Sequence, residues 1–150
     1  MIKLKNLLEV SDSDIVVKYP KGEDEITNDE YTALDWIVKT SGIRILSDKE
    51  LNSIYYVNGV VVGGLYTGYH DNKFSFDIAV HSDYRRQGIG KKMIKDGIYE
   101  FRNIFDGDPD ARCVLDVVNS SLIGYLKTLG FRMRKRIGNH AIMVLGMKHI

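Results

Sequence analysis

One stretch of the chain decides its fold: Ile78-Ala79-Val80-His81-Ser82-Asp83-Tyr84-Arg85-Arg86-Gln87-Gly88-Ile89-Gly90-Lys91. An apolar strand pattern leads through a basic turn into a helical pattern. The start of such a helix leaves backbone N–H groups unpaired, and these donors and the helix dipole together bind phosphate. Gly88 and Gly90 have no side chain that would keep a phosphate off the backbone. The arginines and the lysine add positive charge, so the stretch predicts a phosphate site at residues 85–91.

Two better-known phosphate motifs begin in the same way, and neither fits. A dinucleotide fingerprint needs a third glycine where this chain has Met93. A Walker-type loop needs an upstream glycine and a hydroxyl residue after Gly90-Lys91, and this chain has neither.

Apolar periodicity around the turn predicts a domain of mixed α+β class. Alternation with a period of two is typical of strands, and recurrence every three or four residues is typical of helices. Strands are predicted at residues 15–17, 53–57, 60–69, 74–80, 113–118, 131–137 and 141–147, and helices from Thr27 or Asn28 to Gly42, from Gly90 to Ile104, and from Asn119 or Ser120 to Gly130.

Three local signals refine this pattern. Asn58-Gly59 predicts a two-residue hairpin because both residues tolerate a positive φ. Gly63-Gly64 inside the return strand indicates a bulge or a close backbone approach. The nearly continuous apolar run Cys113–Val118 is typical of a central strand that is buried on both faces.

Composition favours one globular domain over residues 1–150, in which the segment 1–28 is poorly explained. The chain has 150 residues, 44% of them hydrophobic, and a net charge of +1, so its overall charge gives no reason to expect nucleic-acid binding. The single cysteine, Cys113, lies in an apolar run and is expected in the core. The four histidines are scattered, so no metal site is predicted. No apolar run is long enough for a signal peptide or a membrane span, and a cytoplasmic location is expected.

The stretch 78–90 resembles motif A of the GCN5-related N-acetyltransferases (GNAT), with Arg85, Gly88 and Gly90 at its fixed positions. Residues 119–131 resemble motif B of the same superfamily: an asparagine, a tyrosine six residues later, then Gly130-Phe131. The resemblance covers about residues 53–147. It implies a mixed, mostly antiparallel sheet of about six to seven strands flanked by helices, with strands that splay at the cofactor site.

The same resemblance implies the donor acetyl-CoA and a set of residues that hold it. Backbone amides from Arg86 to Lys91 would hold the pyrophosphate, and the backbone at Val80 would bind the pantetheine arm. Tyr125 would protonate the leaving thiolate. The implied cofactor-binding residues are Ile78, Ala79, Val80, Arg85, Arg86, Gln87, Gly88, Ile89, Gly90, Lys91, Asn119 and Tyr125.

A direct general base is harder to assign. Some family members carry Glu or His at positions that match Phe74 and Phe76, which are aromatic here. Asp77 lies between them in the alternation of the strand, so its side chain is expected on the opposite face of the sheet. Asp116 and His81 are weaker candidates, so proton removal through water is expected.

In the family that this sequence resembles, the acceptor lies near the first helical region and the β-meander. That helical region carries Glu23, Asp24, Asp29 and Glu30 here, so the resemblance implies a cationic primary amine, such as a polyamine, an aminoglycoside-like amine or a lysine side chain. One alternative is a catalytically weak CoA-binding module of the same fold. Another uses the basic hairpin Arg132–Arg136 as a nucleic-acid contact, which a solvated strand face explains equally well. Exposed edge strands near that hairpin could pair with a second copy of the chain, so a homodimer is also considered.

Overall fold

The computed structural model describes residues 14–41 and 48–149, which contain seven strands and three α-helices. The strands are β1 (Ile15–Lys18), β2 (Glu50–Val57), β3 (Val60–His70), β4 (Lys73–Val80), β5 (Arg112–Val117), β6 (Arg132–Ile137) and β7 (His140–Gly146). The helices are α1 (Asn28–Ser41), α2 (Ile89–Ile104) and α3 (Ser120–Thr128), with short 3-10 turns at Glu23–Glu25, Ser82–Tyr84 and Met147–His149. The predicted helix end at Gly42 lies outside the described residues.

The strands form one sheet in the order β1-β2-β3-β4-β5-β7-β6. The pairs β1/β2, β2/β3, β5/β7 and β6/β7 are antiparallel, and β4 and β5 are parallel. The predicted mixed, mostly antiparallel sheet is therefore confirmed. No helix within the described ranges is long and apolar enough to cross a bilayer.

Contacts divide the described residues into two compact units. The first contains residues 14–41, 48–67 and 77–97, and the second contains residues 68–76 and 98–149. Each unit is described by itself below. The single-domain assignment of residues 1–150 stays a prediction.

In the first unit, local capping fixes where α1 begins. The Thr27 hydroxyl accepts a hydrogen bond from the Glu30 backbone N–H at 3.1 Å, and the Glu30 carboxylate accepts one from the Thr27 N–H at 2.8 Å. This reciprocal pair is a capping box. Of the two predicted caps, Thr27 and not Asn28 is the one used. Leu34 and Ile37 are buried on the inner face, whereas Tyr31, predicted on that face, is 43% exposed.

The first unit also confirms both glycine signals of the β2–β3 hairpin. Asn58 and Gly59 adopt φ values of 51° and 76°, as a two-residue turn between twisted strands requires. The β2–β3 register shifts between Tyr55 and Tyr56, which marks a bulge. A Cβ on Gly63 would lie 2.5 Å from the carbonyl oxygen of Ala79, so β3 and the end of β4 meet where only glycine fits.

In the second unit, the end of α2 (residues 98–104) and α3 cover one face of the strands. Phe101 of α2 stacks on Phe74 of β4 with ring centroids 5.7 Å apart. A Cβ on Gly130, which ends α3 with a φ of 100°, would lie 3.4 Å from Leu145 on β7. These contacts place the core of this unit between the helices and the sheet.

Strand β5 differs from its prediction. Cys113 is buried as expected, and so are Leu115 and Val117, but Asp116 between them is exposed and Val118 is 53% exposed. The expectation of burial on both faces is therefore wrong. The apolar run hides an alternation because Val114 and Val118 are apolar residues on the less covered face.

Candidate functional site

The predicted phosphate turn has an irregular backbone that leads directly into α2. Arg86 adopts a φ of 63° and Gly88 a φ of 85°, so two residues of the turn occupy the left-handed region. Helix α2 begins at Ile89, and the Lys92 N–H donates to the Gly88 carbonyl at 3.1 Å. The backbone N–H groups of the turn and of the first helical residues are thus gathered at a helix start, the arrangement that binds anions.

Side chains on opposite sides of this turn have different roles. Arg85 and Arg86 are exposed. Gln87 is buried and its side-chain amide donates to the Asp83 carbonyl at 3.1 Å, while the Ile89 side chain is fully buried. Gln87 and Ile89 therefore anchor the turn, and only their backbone atoms would be offered to a ligand.

The end of β4 supplies the second predicted element. A Cβ on Gly90 would meet Ile78 at 3.7 Å and Val80 at 4.0 Å, so the start of α2 packs closely on this strand. The Ala79 carbonyl points toward β3 at Gly63, and successive residues of a strand direct their N–H and C=O groups to opposite edges. The N–H and C=O of Val80 therefore lie on the edge away from β3.

The two motif B residues lie in the second unit. The Asn119 side-chain oxygen accepts hydrogen bonds from the Ser121 N–H at 2.9 Å and the Ser121 hydroxyl at 2.7 Å, which makes Asn119 the N-cap of α3. Tyr125 is half-buried and its hydroxyl oxygen is buried. Residues 78–80 and 85–91 are brought together in the first unit. Asn119 and Tyr125 both belong to the second unit, Asn119 as the N-cap of α3 and Tyr125 within that helix.

A recess of about 530 Å³ opens in the first unit beside α1 and the β2–β3 hairpin. The Trp36 and His81 rings form one wall, with centroids 4.9 Å apart. Trp36 and Tyr56 are not among the site residues predicted from the sequence. A signal existed, because Trp36 is a large aromatic residue outside the apolar stripe of α1. The residues that line the recess are Thr27, Asp29, Glu30, Thr32, Ala33, Trp36, Ile37, Tyr56, Gly59, Val60, Val61 and His81.

Two acidic side chains of this recess differ in environment. Burial raises the pKa of Glu30, but hydrogen bonds from Tyr56, Thr27 and Lys18 outweigh it and hold that pKa at about 2. Burial, helped by the Glu30 carboxylate, raises the pKa of Tyr56 to about 12. Asp29 is exposed. Glu30 is therefore already compensated by its own neighbours, and Asp29 is the recess carboxylate open to a ligand.

None of the positions considered for a base on β4 offers one. Phe74 and Phe76 are buried aromatic residues. Asp77 forms an ion pair with Lys49 at 2.8 Å, and the Lys49 side chain is only 9% exposed. His81 accepts a hydrogen bond from the Asp83 N–H at its Nδ1, at 3.1 Å. Within the described ranges, no group of three or more histidine, cysteine or acidic side chains is placed to hold a metal ion.

Comparison with known proteins agrees with this geometry. The family profile described as "Acetyltransferase (GNAT) domain" matches residues 50–133. The crystal structure of the ribosomal-protein-S18-alanine N-acetyltransferase from Escherichia coli is 18% identical, with a TM-score of 0.64 over 89% of this chain and 94% of that one. The structure of Ard1 from Thermoplasma volcanium is 15% identical, with a TM-score of 0.66 over 89% and 97%.

A third solved structure carries a ligand. It is a GNAT family acetyltransferase from Elizabethkingia anophelis with acetyl-CoA bound, 19% identical, with a TM-score of 0.61 over 90% of this chain and 99% of that one. No curated protein matches the sequence. At these identities the solved structures show the fold that the chain shares with them.

Proposed function

Because the chain belongs to the GNAT family of acetyltransferases, we propose that it transfers an acetyl group from acetyl-CoA to a primary amine. The observation that carries this proposal is the turn 85–91, whose left-handed residues Arg86 and Gly88 lead into the start of α2. A fold relative from Elizabethkingia anophelis binds acetyl-CoA, which supports the choice of cofactor.

The first unit would hold the pyrophosphate and part of the pantetheine arm. Backbone N–H groups from Arg86 to Lys91 donate to the phosphate oxygens, and the exposed Arg85 and Arg86 side chains neutralise their charge. The N–H and C=O of Val80, on the edge of β4 away from β3, bond the amides of the arm. A backbone N–H held in place in this way also stabilises the oxyanion that forms when an amine attacks the thioester.

The second unit would supply the group that assists departure of the thiolate. Tyr125 gives its hydroxyl proton to the sulfur as the carbon–sulfur bond breaks. Asn119 contacts the pantetheine through its amide nitrogen, because its side-chain oxygen already caps α3.

The recess beside α1 would receive a cationic part of the acceptor. The Trp36 and His81 rings and the exposed Asp29 carboxylate offer aromatic and anionic contacts to an ammonium group. The sequence also predicts Glu30 for this role, but that carboxylate is buried and accepts hydrogen bonds from Lys18 and Thr27. The cationic preference therefore rests on Asp29, together with Glu23 and Asp24 of the exposed 3-10 turn.

A panel of primary amines tests the proposal. Release of free thiol from acetyl-CoA is followed with polyamines, aminoglycosides, lysine peptides and peptides with free N-termini. Matched amines that carry no charge besides the reacting amino group are measured beside them. The expected result is acetylation of at least one amine, with cationic acceptors preferred. Absence of thiol release above the no-amine rate across the panel would contradict the proposal.

A second candidate function is a CoA-binding module that has lost catalysis. It is favoured by Phe74 and Phe76, which occupy the positions where some family members carry a base. Full affinity for CoA without amine-dependent thiol release would identify this function.

A further inference from the structure

We propose that His140, oriented by Asp116, is the general base that removes the proton from the acceptor amine. The inference rests on the proposed acetyltransferase function and adds a catalytic residue to it. His140 Nδ1 and Asp116 Oδ1 lie 3.0 Å apart, although the two residues are 24 positions apart in the sequence.

The dyad owes its position to the pairing of β5 with β7. Asp116 lies opposite Ile142 and Val117 lies opposite Ala141 in that register. Directly opposed residues share a face of the sheet, and residues two apart along a strand share one as well. Asp116, Ile142 and His140 are therefore on one face, and Val117 and Ala141 are on the other.

Both helical segments of the second unit cover that other face. Gly130 at the end of α3 approaches Leu145, which shares the face of Ala141. Phe101 of α2 stacks on Phe74, whose register partner on β5 is Cys113. The dyad thus lies on the face away from these helices, and its side chains are 48% exposed for His140 and 58% for Asp116.

The dyad also lies close along the chain to a proposed cofactor residue, Asn119, the N-cap of α3. Asp116 precedes Asn119 by three residues, and three residues of extended chain span at most about 10 Å. An amine that attacks a thioester held near Asn119 is therefore within reach of a base on this part of the sheet.

The chemistry of the pair fixes which nitrogen acts. A carboxylate only accepts hydrogen bonds, so His140 Nδ1 is the donor to Asp116 and Nε2 of the neutral ring holds the lone pair. The charged residues of the second unit that share this face with His140 are Lys73 on β4, Arg112 and Asp116 on β5, and Arg132 and Lys135 on β6, whose register partners are Val144 and Ile142. The arrangement is that of a base whose tautomer is set by a carboxylate.

The protons of the reaction balance when His140 is the base and Tyr125 is the acid. His140 Nε2 takes one proton from the ammonium, and the neutral nitrogen forms a bond to the thioester carbon. The carbon–sulfur bond then breaks as Tyr125 protonates the sulfur. The second proton of the new amide nitrogen returns to Tyr125 through water, so one proton is released for each acetyl group transferred.

Three other ionisable side chains, Asp77, His81 and Glu30, are engaged in different contacts. His81 Nδ1 accepts a hydrogen bond from the Asp83 N–H at 3.1 Å. Asp77 is paired with the nearly buried Lys49. Glu30 is buried and accepts from Lys18, Thr27 and Tyr56. His140 is a histidine whose Nδ1 meets a carboxylate while its ring stays half-exposed.

His140→Asn gives the sharpest test, because its amide nitrogen still donates to Asp116 while the titratable ring is gone. We expect kcat/KM for the amine to fall about 100-fold, within the range for loss of a general base. The part of the wild-type pH dependence of kcat/KM that comes from the base should be absent from the profile of the variant. The Kd for CoA should not change. In His140→Ala, added imidazole should restore part of the rate.

His70→Asn is the matched control, because His70 also faces a carboxylate, that of Asp71, but lies fully at the surface. It should keep wild-type kinetics. A His140→Asn enzyme with the wild-type rate and pH profile overturns the proposal, as does a His140→Ala enzyme that imidazole does not restore. If the wild-type protein acetylates no amine at all, the proposed function itself fails, and the inference fails with it.

Discussion

The Tyr56 hydroxyl donates a hydrogen bond to the buried carboxylate of Glu30, which ties β2 to the first turn of α1. Lys18 of β1 reaches the same carboxylate at 2.9 Å, and the Thr27 N–H completes the set. One side chain therefore joins two strands and a helix around the recess.

The first prediction concerns acid stability. Glu30 has a pKa of about 2 in the folded state against 4.5 in the unfolded chain. A lowered folded-state pKa stabilises the protein above pH 4.5, and that stabilisation is lost as the pH falls from about 4.5 to about 2. The size of this stabilisation is on the order of 3 kcal/mol.

Glu30→Gln should lower the free energy of unfolding at pH 7 and flatten its decline below pH 4.5. Chemical denaturation at several pH values measures both effects. The control Glu23→Gln, at an exposed site, should leave the curve unchanged; equal effects of the two variants would contradict the prediction.

The second prediction concerns the phosphate turn. Gly88→Ala places a side chain at a φ of 85°, which costs about 1 kcal/mol of strain and displaces the N–H groups at the start of α2. Isothermal titration should show at least a tenfold weaker affinity for CoA. Gly107→Ala is a matched control, since its φ is 83° in open space. It should lose similar stability and keep its affinity for CoA. If both variants bind CoA with equal affinity, the turn is not part of the cofactor site.

The third prediction concerns the leaving group. Tyr125→Phe removes the proposed acid and keeps the ring. The value of kcat should fall by about 100-fold while the Kd for CoA stays constant, because a general acid acts in the transition state. Stopped-flow or steady-state thiol release measures the rate, and Tyr99→Phe, at a 62% exposed site, is the control. An undiminished kcat would show that Tyr125 does not protonate the thiolate.

The fourth prediction concerns the acceptor. Asp29→Asn should raise KM for a cationic amine about two- to fivefold, the effect of an exposed charge pair. It should leave KM unchanged for an amine that carries no charge besides the reacting amino group. Asp35→Asn removes the same charge from the same helix at a residue outside the recess, where Asp35 pairs with Lys39. The added effect of 0.5 M salt should be smaller for Asp29→Asn than for wild type. A uniform change for both kinds of amine would argue against recognition of charge.

Much of this architecture follows from local signals in the sequence. The pair Asn58-Gly59 predicts its turn because the positive φ values that the turn needs cost little only for glycine, asparagine and aspartate. Asn119 and Gly130 predict the two ends of α3 for the same kind of reason. These elements depend on a few neighbouring residues, so a short window contains the information.

Pairs that form across the sheet could not be found in that way. Asp116 meets His140 only because the register of β5 on β7 aligns them. The carboxylate of Glu30 looked like one of several surface acids, and its burial depends on Lys18 and Tyr56 from two different strands. The splay of the strands at the cofactor site stays a prediction, as do the homodimer and the nucleic-acid contact.

The close approach at Gly63 has a consequence for comparing this chain with its relatives. The Ala79 carbonyl lies where a side chain on residue 63 would start, so any sequence with a larger residue there must hold the end of its β4 differently. Position 63 can therefore sort distant family members into those that share this strand geometry and those that do not. It would do so even for sequences whose phosphate turns are identical.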